Sequence, residues 1–344
     1  MDIAATEHAV PTTPRRLVWR RLRRDRLALV SGACLILLIA LVWLGPPVLE
    51  RVLGHGPNDP FPYAVNENLR PVGFWSRVPD LHTTSATLEF GAPPPPGTKT
   101  TLLPLGGDGQ LGRDELQRLL VGGRVSLEVA VGATLLSILL GLLAGGVAGY
   151  FGGLIDSLIS RVADLVMALP LLLLLILVGA TLGPRLYGIT LGVLQPGVFS
   201  LVVVIGLFTW FYPARIVRAE VAALKEREFV ESARMVGAGN WRILRRHLFP
   251  HVLPVLLAYS TFLVATNILV EAGVTFLGVG IKLPTASWGN LLSTAWGTSR
   301  TPMPYDPARN TIWLTVLPTL AILLATVSWT MLGEGLRRAL EPGR

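Results

Sequence analysis

Long uncharged runs of apolar residues alternate along this chain with shorter charged segments. A helix needs about 20 such residues to cross the hydrocarbon core of a bilayer, and several of the runs are at least that long. The pattern predicts an all-α polytopic membrane protein with six transmembrane helices. The predicted spans are 27–49, 124–150, 157–181, 198–214, 252–275 and 311–333.

The polar segments set the predicted organisation around these spans. The N-terminal tail, 1–26, ends in clustered Arg, and basic residues beside a span favour the cytoplasmic side, so we expect both chain ends to be cytoplasmic. Residues 50–122 form a long extracytoplasmic insert, rich in Pro and Gly, which we expect to be irregular with a few short strands. Residues 123–333 form the transmembrane core with a cytoplasmic loop at 216–250, and 334–344 form the C-terminal tail.

The composition supports this class of protein. Charged residues make up 15% of the 344 residues, against about 25% in soluble domains. The net charge of +8 comes from Arg residues that flank the spans and form no single basic face, so we expect contact with membrane lipid and none with nucleic acid. The single cysteine, Cys34, lies within a span, which excludes a disulfide framework.

The charged segment at 228–250, between the fourth and fifth spans, carries the strongest functional signal. Apolar positions recur at helical spacing up to Gly237, a residue typical of the position just past a helix end. Asn240 is placed to cap a second short helix, 241–248, and Pro250 to end it. Such a module suits the groove of a partner protein or the membrane interface, and the pattern alone leaves both open.

Small and ionisable residues predict two further contacts. Gly141, Gly145 and Gly149 recur every four residues, a spacing that lets helix backbones approach closely, so we expect them to pack against another helix. Arg161 and Asp164 lie three residues apart and are predicted to form a local ion pair.

Metal binding and ATP hydrolysis are both unsupported by the sequence. His247 and His251 are spaced to share a metal ion, but no third ligand is near, so we expect no metal site. The chain has no Gly-x-x-x-x-Gly-Lys-Ser/Thr phosphate loop, since its nearest string, at 97–100, lacks the spacing. We therefore expect a transport subunit rather than an enzyme.

Several motifs resemble those of a known family. Glu231-Ser232-Ala233, followed by Gly237 and Pro250, resembles the EAA loop of ABC-importer permeases, although the family usually has Ala where Ser232 stands. The ending His247-Leu248-Phe249-Pro250 resembles that of the dipeptide, oligopeptide and nickel branch. Further matches in the expected order are 111–114 with 124–127, 149–153, 276–280 with 287–290, and 332–337.

The resemblance implies a C-type permease with the type I ABC-importer permease fold, in the inner membrane of a bacterial cell. Its implied partners are a second homologous permease, two ATP-binding cassette subunits and an extracytoplasmic substrate-binding protein. ATP and Mg would be used by the ATPase subunits, and this chain would bind no cofactor. The implied ATPase-coupling residues are Glu231, Ser232, Ala233, Gly237, Ala238, Trp241, His247 and Pro250.

Two residues within the spans are candidates for gating or for lining the path. Pro170 lies in the middle of the third predicted span, and Glu271 near the outer end of the fifth. An acid inside a membrane span is a functional candidate by default. Three roles for Glu271 stay open: lining the path, capping the Gly-rich segment after it, or pairing with a basic group of the second permease.

The substrate and the mechanism each have alternatives. A dipeptide or oligopeptide is the expected substrate, and nickel is the alternative within the same family. An ion-coupled secondary transporter would use intramembrane groups such as Pro170 and Glu271, and a membrane scaffold would explain the long insert. Residues 50–107 are longer and richer in Pro than the family leads us to expect, so their role is open.

Overall fold

The computed structural model describes most of the chain outside the tails and parts of several loops. The described residues are 21–65, 71–80, 94, 96–109, 111–186, 189, 194–299 and 312–340. The long helices within these ranges are α1 (Arg26–Leu53), α2 (Glu115–Phe151), α3 (Gly153–Met167), α4 (Leu171–Leu186), α5 (Val198–Thr209), α6 (Phe211–Leu224), α7 (Glu228–Met235), α9 (Phe249–Phe276), α10 (Trp288–Ser299) and α11 (Ile312–Leu340). Between α7 and α9 lie the short helix α8 (Asn240–Ile243) and a π-helical turn (Leu244–Leu248).

Four helical stretches are each long and apolar enough to cross a membrane. They are α1, α2, the continuous stretch from α8 to the end of α9, and α11. Two bent pairs, α3 with α4 and α5 with α6, also qualify if each pair counts as one span, which gives six in all. For these two pairs, a complete membrane crossing stays a prediction.

The third predicted span, 157–181, is wrong as one continuous helix. α3 and α4 meet at an angle of 91°, with Pro170 in the break between them. A proline has no backbone N–H and disfavours helical conformation in the residue before it, so the helix ends here instead of continuing through. The fourth predicted span is also bent, by 45° between α5 and α6, and its helical part continues to Leu224.

The second predicted span begins too late. α2 starts at Glu115, so the last residues of the predicted insert 50–122 are helical. The Asp114 carboxylate explains this start, because it accepts hydrogen bonds from the backbone N–H groups of Leu116 and Gln117.

The first and last helices are both longer than predicted, and they lie side by side. α1 continues through Pro46 and Pro47 to Leu53, and α11 extends to Leu340, into the predicted C-terminal tail. Arg338 pairs with Asp25 at 2.9 Å. Gly335 packs against Ala28 so closely that a Cβ has no room there. The start of α1 and the last turns of α11 are therefore joined at one end of the bundle.

α2 is the central helix of the bundle and packs on α6 through its glycines. A Cβ on Gly141 would lie 2.7 Å from Pro213 Cγ, and one on Gly149 would lie 3.0 Å from Val221 Cβ. Because real side chains avoid such distances, only glycine permits this approach of the two backbones. The prediction that this row of glycines packs against another helix is confirmed.

The described part of the insert is irregular with short strands, as expected. β1 (Ser76–Pro79) pairs antiparallel with β2 (Thr100–Leu103), and β3 (Gly107–Asp108) with β4 (Arg113–Asp114). A small core lies beneath them, made of Phe61, Ala64, Val78 and Leu103. The first and third prolines of the predicted four-proline spacer lie outside the described residues.

A buried charged network joins the insert to the start of α2. Arg113 donates to Asp108 from Nη2 at 2.7 Å, and the Nε atom of Arg118 lies 2.7 Å from the same carboxylate. The Nη1 group of Arg118 also donates to the Asn58 side chain and to the Pro284 carbonyl, at 2.7 and 3.2 Å. This network fastens the insert, α2 and the loop after α9 together at the end of the bundle opposite α7.

Candidate functional site: the α7–α8 segment

A glycine-centred turn ends α7 and redirects the chain into α8. The Ala238 N–H donates to the Ala233 carbonyl at 3.0 Å, and the Gly237 N–H donates to the Arg234 carbonyl at 2.9 Å. This pair of bonds is a Schellman motif, which needs a left-handed residue just past the helix. Gly237 supplies it, with φ of 83°. The predicted role of Gly237 as the turn after a helix is confirmed by this geometry.

The inner side of the segment is anchored in the bundle. Val230 on α7 and Ile243, Leu244 and Leu248 after the turn are buried in one cluster. The cluster is completed by Tyr150 from α2, Val217 and Val221 from α6, and Val252 and Leu256 from α9. Ala233 and Ala238 are half-buried and pack against it. Three helices therefore support the segment from beneath.

Asn240 does not cap the second helix, so that prediction is wrong. α8 already includes Asn240, with Gly239 as the capping residue and no side-chain capping bond. The Asn240 Oδ1 atom accepts a hydrogen bond from the Tyr150 hydroxyl at 2.9 Å instead. The Arg234 guanidinium lies 5.7 Å from the centre of the Tyr150 ring, so this tyrosine contacts both sides of the turn.

The outer side of the segment is exposed and partly apolar. Met235 is 82% exposed, Val236 89% and Trp241 57%. Glu231 and Ser232 are exposed on α7 beside them. Large apolar side chains in a row on a protein surface mark a contact with another molecule. The predicted residues Glu231, Ser232, Gly237 and Trp241 are thus all exposed on the α7–α8 segment.

Pro250 does not end the helical segment, and this prediction is also wrong. The π-helical turn leads directly into α9, and Pro250 stands in the first turn of that helix. A proline is tolerated in a first turn because the N–H that it lacks has no partner there in any case. The whole stretch from Asn240 to Phe276 is therefore continuous.

The two histidines of the segment join α7 to α9. The His251 ring stacks on Phe229, with ring centres 5.2 Å apart, and its Nδ1 atom bonds the His247 carbonyl. His247 is half-buried. Across the described ranges, no group of three His, Cys, Asp or Glu side chains is arranged to hold a metal ion.

The predicted ion pair between Arg161 and Asp164 is replaced by two pairs between different helices. Asp164 pairs with Arg215 and Asp156 with Arg218, so both acids of α3 are bound by α6. An arginine on a facing helix outcompetes a neighbour on the same helix here, because α6 presents two guanidinium groups along its length towards α3.

Glu271 is fully buried within this chain, among hydroxyl groups. Its Oε1 atom accepts a hydrogen bond from the Thr275 hydroxyl at 2.9 Å. The same hydroxyl accepts a bond from the Ile281 N–H at 3.3 Å, across the turn after α9. Of the three roles left open for Glu271, this geometry fits the capping of the following segment. Pro170, the other gating candidate, stands at the bend between α3 and α4.

The fold defines a multi-pass α-helical membrane protein, and the α7–α8 segment forms an exposed, partly apolar turn at one end of it. A family model described as "binding-protein-dependent transport system inner membrane component" matches residues 137–344. A second, the "N-terminal TM domain of oligopeptide transport permease C", matches residues 13–71. The chain belongs to the first family, the membrane permeases of ABC transporters, and as a permease it is not itself an enzyme.

Relatives with known names agree with this family. A putative peptide permease protein of Brucella ovis is 38% identical over 69% of this chain and 72% of its own length. A glutathione transport system permease protein of Shigella flexneri is 31% identical over 96% of this chain and 91% of its own length. Among solved structures, the inward-facing MetNI methionine ABC transporter covers 64% of this chain and 97% of its own, at 19% identity and a TM-score of 0.37.

Proposed function

We propose that this chain is the permease subunit of an ATP-driven importer for peptides and that the α7–α8 segment couples it to an ATPase. The observation that carries the proposal is the contrast between the two sides of that segment. Its inner side is buried in the bundle, while Met235, Val236 and Trp241 are exposed on its outer side. A surface that is both rigid and apolar is suited to receive force from a partner.

The exposed turn has the chemistry of a helix that enters a groove. Burying a large apolar side chain gains about 1.5–3 kcal/mol, so Met235, Val236 and Trp241 together supply a substantial anchor. Glu231 and Ser232 add polar groups one to two turns away along α7. In this proposal Glu231 is the polar anchor, and Gly237 sets the angle at which α7 meets the ATPase.

The buried inner side of the α7–α8 segment provides the contacts through which a movement of the ATPase would reach the bundle. Val230 of α7 and Leu244 after the turn share a cluster with residues of α2, α6 and α9, all long helices of the bundle. Close-packed side chains transmit displacement instead of absorbing it. A push on α7 would therefore tilt three helices at once, which is what a change between inward-facing and outward-facing states requires.

The proposal fixes the partners and the orientation. The end of the bundle that carries α7 faces the cytoplasm of a bacterial cell, with both chain ends there and the insert outside. Two ATP-binding cassette subunits, using ATP and Mg, dock on this chain and on a second permease, and an external binding protein delivers the substrate. The relatives named for peptide and glutathione transport support a peptide substrate.

Two substitutions in purified transporter test the coupling role. Glu231→Ala and Val236→Ser are each expected to reduce co-purification of the ATPase subunits and ATP-driven uptake of peptide into vesicles. Glu226→Ala is the matched control, since it removes an exposed acid from the connection just before α7. Normal ATPase recovery and normal uptake in both test variants would rule out this docking surface.

A further inference from the structure

A break in the helical backbone at each end separates α3 from the helices before and after it. At its start, Gly152 and Gly153 both have positive φ, of 66° and 57°. At its end, the chain bends by 91° into α4 around Pro170. Within α3, which the structure describes throughout, Ala163 alone is buried. This helix is therefore a separate lever with little apolar packing of its own.

Ion pairs form the main contact between this lever and α6. Asp156 accepts a hydrogen bond from Arg218 Nη2 at 2.7 Å, and Asp164 pairs with Arg215 two turns further along α3. The earlier acid meets the later arginine, so the two helices run antiparallel. Both pairs are partly or largely exposed.

A cavity of about 340 Å³ lies between α3, α6 and the glycine-rich face of α2. Most of its lining residues are small (Gly145, Ala148, Ser160, Ala163 and Ala214), and the others are Ile159 and three members of the ion pairs, Asp164, Arg215 and Arg218. A close-packed interface resists sliding, whereas a cavity spanned by charges leaves room for the helices to approach. Charge, rather than packing, sets the position of α3.

α6 continues almost directly into the α7–α8 segment. It ends at Leu224, and α7 begins at Glu228 after a short connection. Arg218 therefore lies less than two turns from the end of the helix that a docked ATPase would move. The ion pairs between α6 and α3 are the contacts through which a movement of α6 could reach α3.

We propose that the Asp156–Arg218 and Asp164–Arg215 pairs are coupling pairs, which carry the displacement of α6 to α3 and, through the bend at Pro170, to α4. This inference rests on the proposed coupling function of the α7–α8 segment. The pairs position α3 and do not contact the substrate. When α6 moves, the two ion pairs draw α3 with it.

Charge neutralisation and charge exchange test this inference in the assembled transporter. Asp156→Asn with Asp164→Asn is expected to leave ATPase co-purification unchanged and to lower peptide transported per ATP hydrolysed by about 1.4- to fivefold for each pair, the range of an exposed ion pair. The exchange variant Asp164→Arg with Arg215→Asp is expected to restore the ratio, which a purely local role of either residue would not explain. The control is Glu334→Gln, which removes the charge of a half-buried acid paired with Arg337 within α11.

A distance measurement reports the movement itself. Spin labels at Leu158→Cys on α3 and Val30→Cys on α1, with Cys34→Ser to remove the native thiol, would show a distance that shifts when ATP is trapped, because α3 follows α6 and α1 takes part in neither ion pair. In the doubly neutralised variant the distribution is expected to broaden and the shift to disappear.

The outcomes separate this inference from the function on which it rests. If the unaltered chain recovers no ATPase subunits, the coupling function fails and the pairs have nothing to transmit. If it does recover them, but the neutralised variant keeps the normal transport ratio and the normal distance shift, the coupling pairs alone are refuted. Loss of transport in the exchange variant together with a retained distance shift would also refute them.

Discussion

Substitutions at Gly237 isolate the contribution of one backbone angle to the α7–α8 segment. The φ of 83° is strained for any residue with a Cβ, yet a Cβ here would meet nothing within 4 Å. Gly237→Ala therefore tests conformation without a steric clash. Gly239→Ala is the matched control, because Gly239 also has open space around it but has a φ of −68°, which alanine adopts freely.

The expected magnitude follows from the cost of the left-handed conformation, about 1–2 kcal/mol for an ordinary residue. Since 1.4 kcal/mol is a factor of about ten, the turn should open about five- to thirtyfold more often in Gly237→Ala. Gly237→Asn should be milder, because asparagine tolerates this region. Gly237→Pro should be worst, since it cannot adopt the angle and loses the N–H that donates to Arg234.

Hydrogen exchange of the Ala238 amide measures this opening, because that amide is bonded to the Ala233 carbonyl only while the turn is formed. Exchange should quicken in the order Gly, Asn, Ala, Pro at position 237 and stay unchanged in Gly239→Ala. Equal exchange in the alanine and glycine forms, or faster exchange with asparagine than with alanine, would refute the argument from backbone angle.

Three further substitutions test the packing around the segment and the insert. Tyr150→Phe should cost about 0.5–1.5 kcal/mol by losing the hydrogen bond to Asn240, seen as faster exchange in α8 alone. Gly145→Val should lower thermal stability in detergent by about 1–3 kcal/mol through overpacking against α6, whereas Gly32→Ala, which meets only an ordinary contact, should not. Asp108→Asn should cost about 3–5 kcal/mol, because it leaves two buried guanidinium groups without their charged partner, and a melting temperature within error of the unaltered chain would contradict this.

The four long apolar helices and the turn could be predicted because their signals are local. Uncharged runs long enough to cross a bilayer leave little alternative to helices, and Gly237 stands where an amphipathic pattern stops. The spacing of Gly141, Gly145 and Gly149 likewise predicts a helix contact, because three glycines on one face of a helix let another backbone approach closely.

What the sequence missed depends on partners that are distant along the chain. Asn240 has the side chain of a capping residue, but its Oδ1 atom accepts a hydrogen bond from the hydroxyl of Tyr150 on another helix instead. Asp164 has an arginine on its own helix, yet α6 supplies a different one. The start of α2, by contrast, is marked locally, because Asp114 immediately before an apolar helix is a capping signal.

The contact between α1 and α11 has a consequence for how the protein is made. Asp25 and Arg338 are more than 300 residues apart along the chain, so α1, which is synthesised before the other described helices, finds one of its neighbours only when α11 has been inserted. Until then, the face of α1 that carries Ala28 has only lipid or a temporary partner to cover it. The described bundle is therefore complete only once α11 has been inserted, and a chain cut short before α11 would leave this face of α1 uncovered.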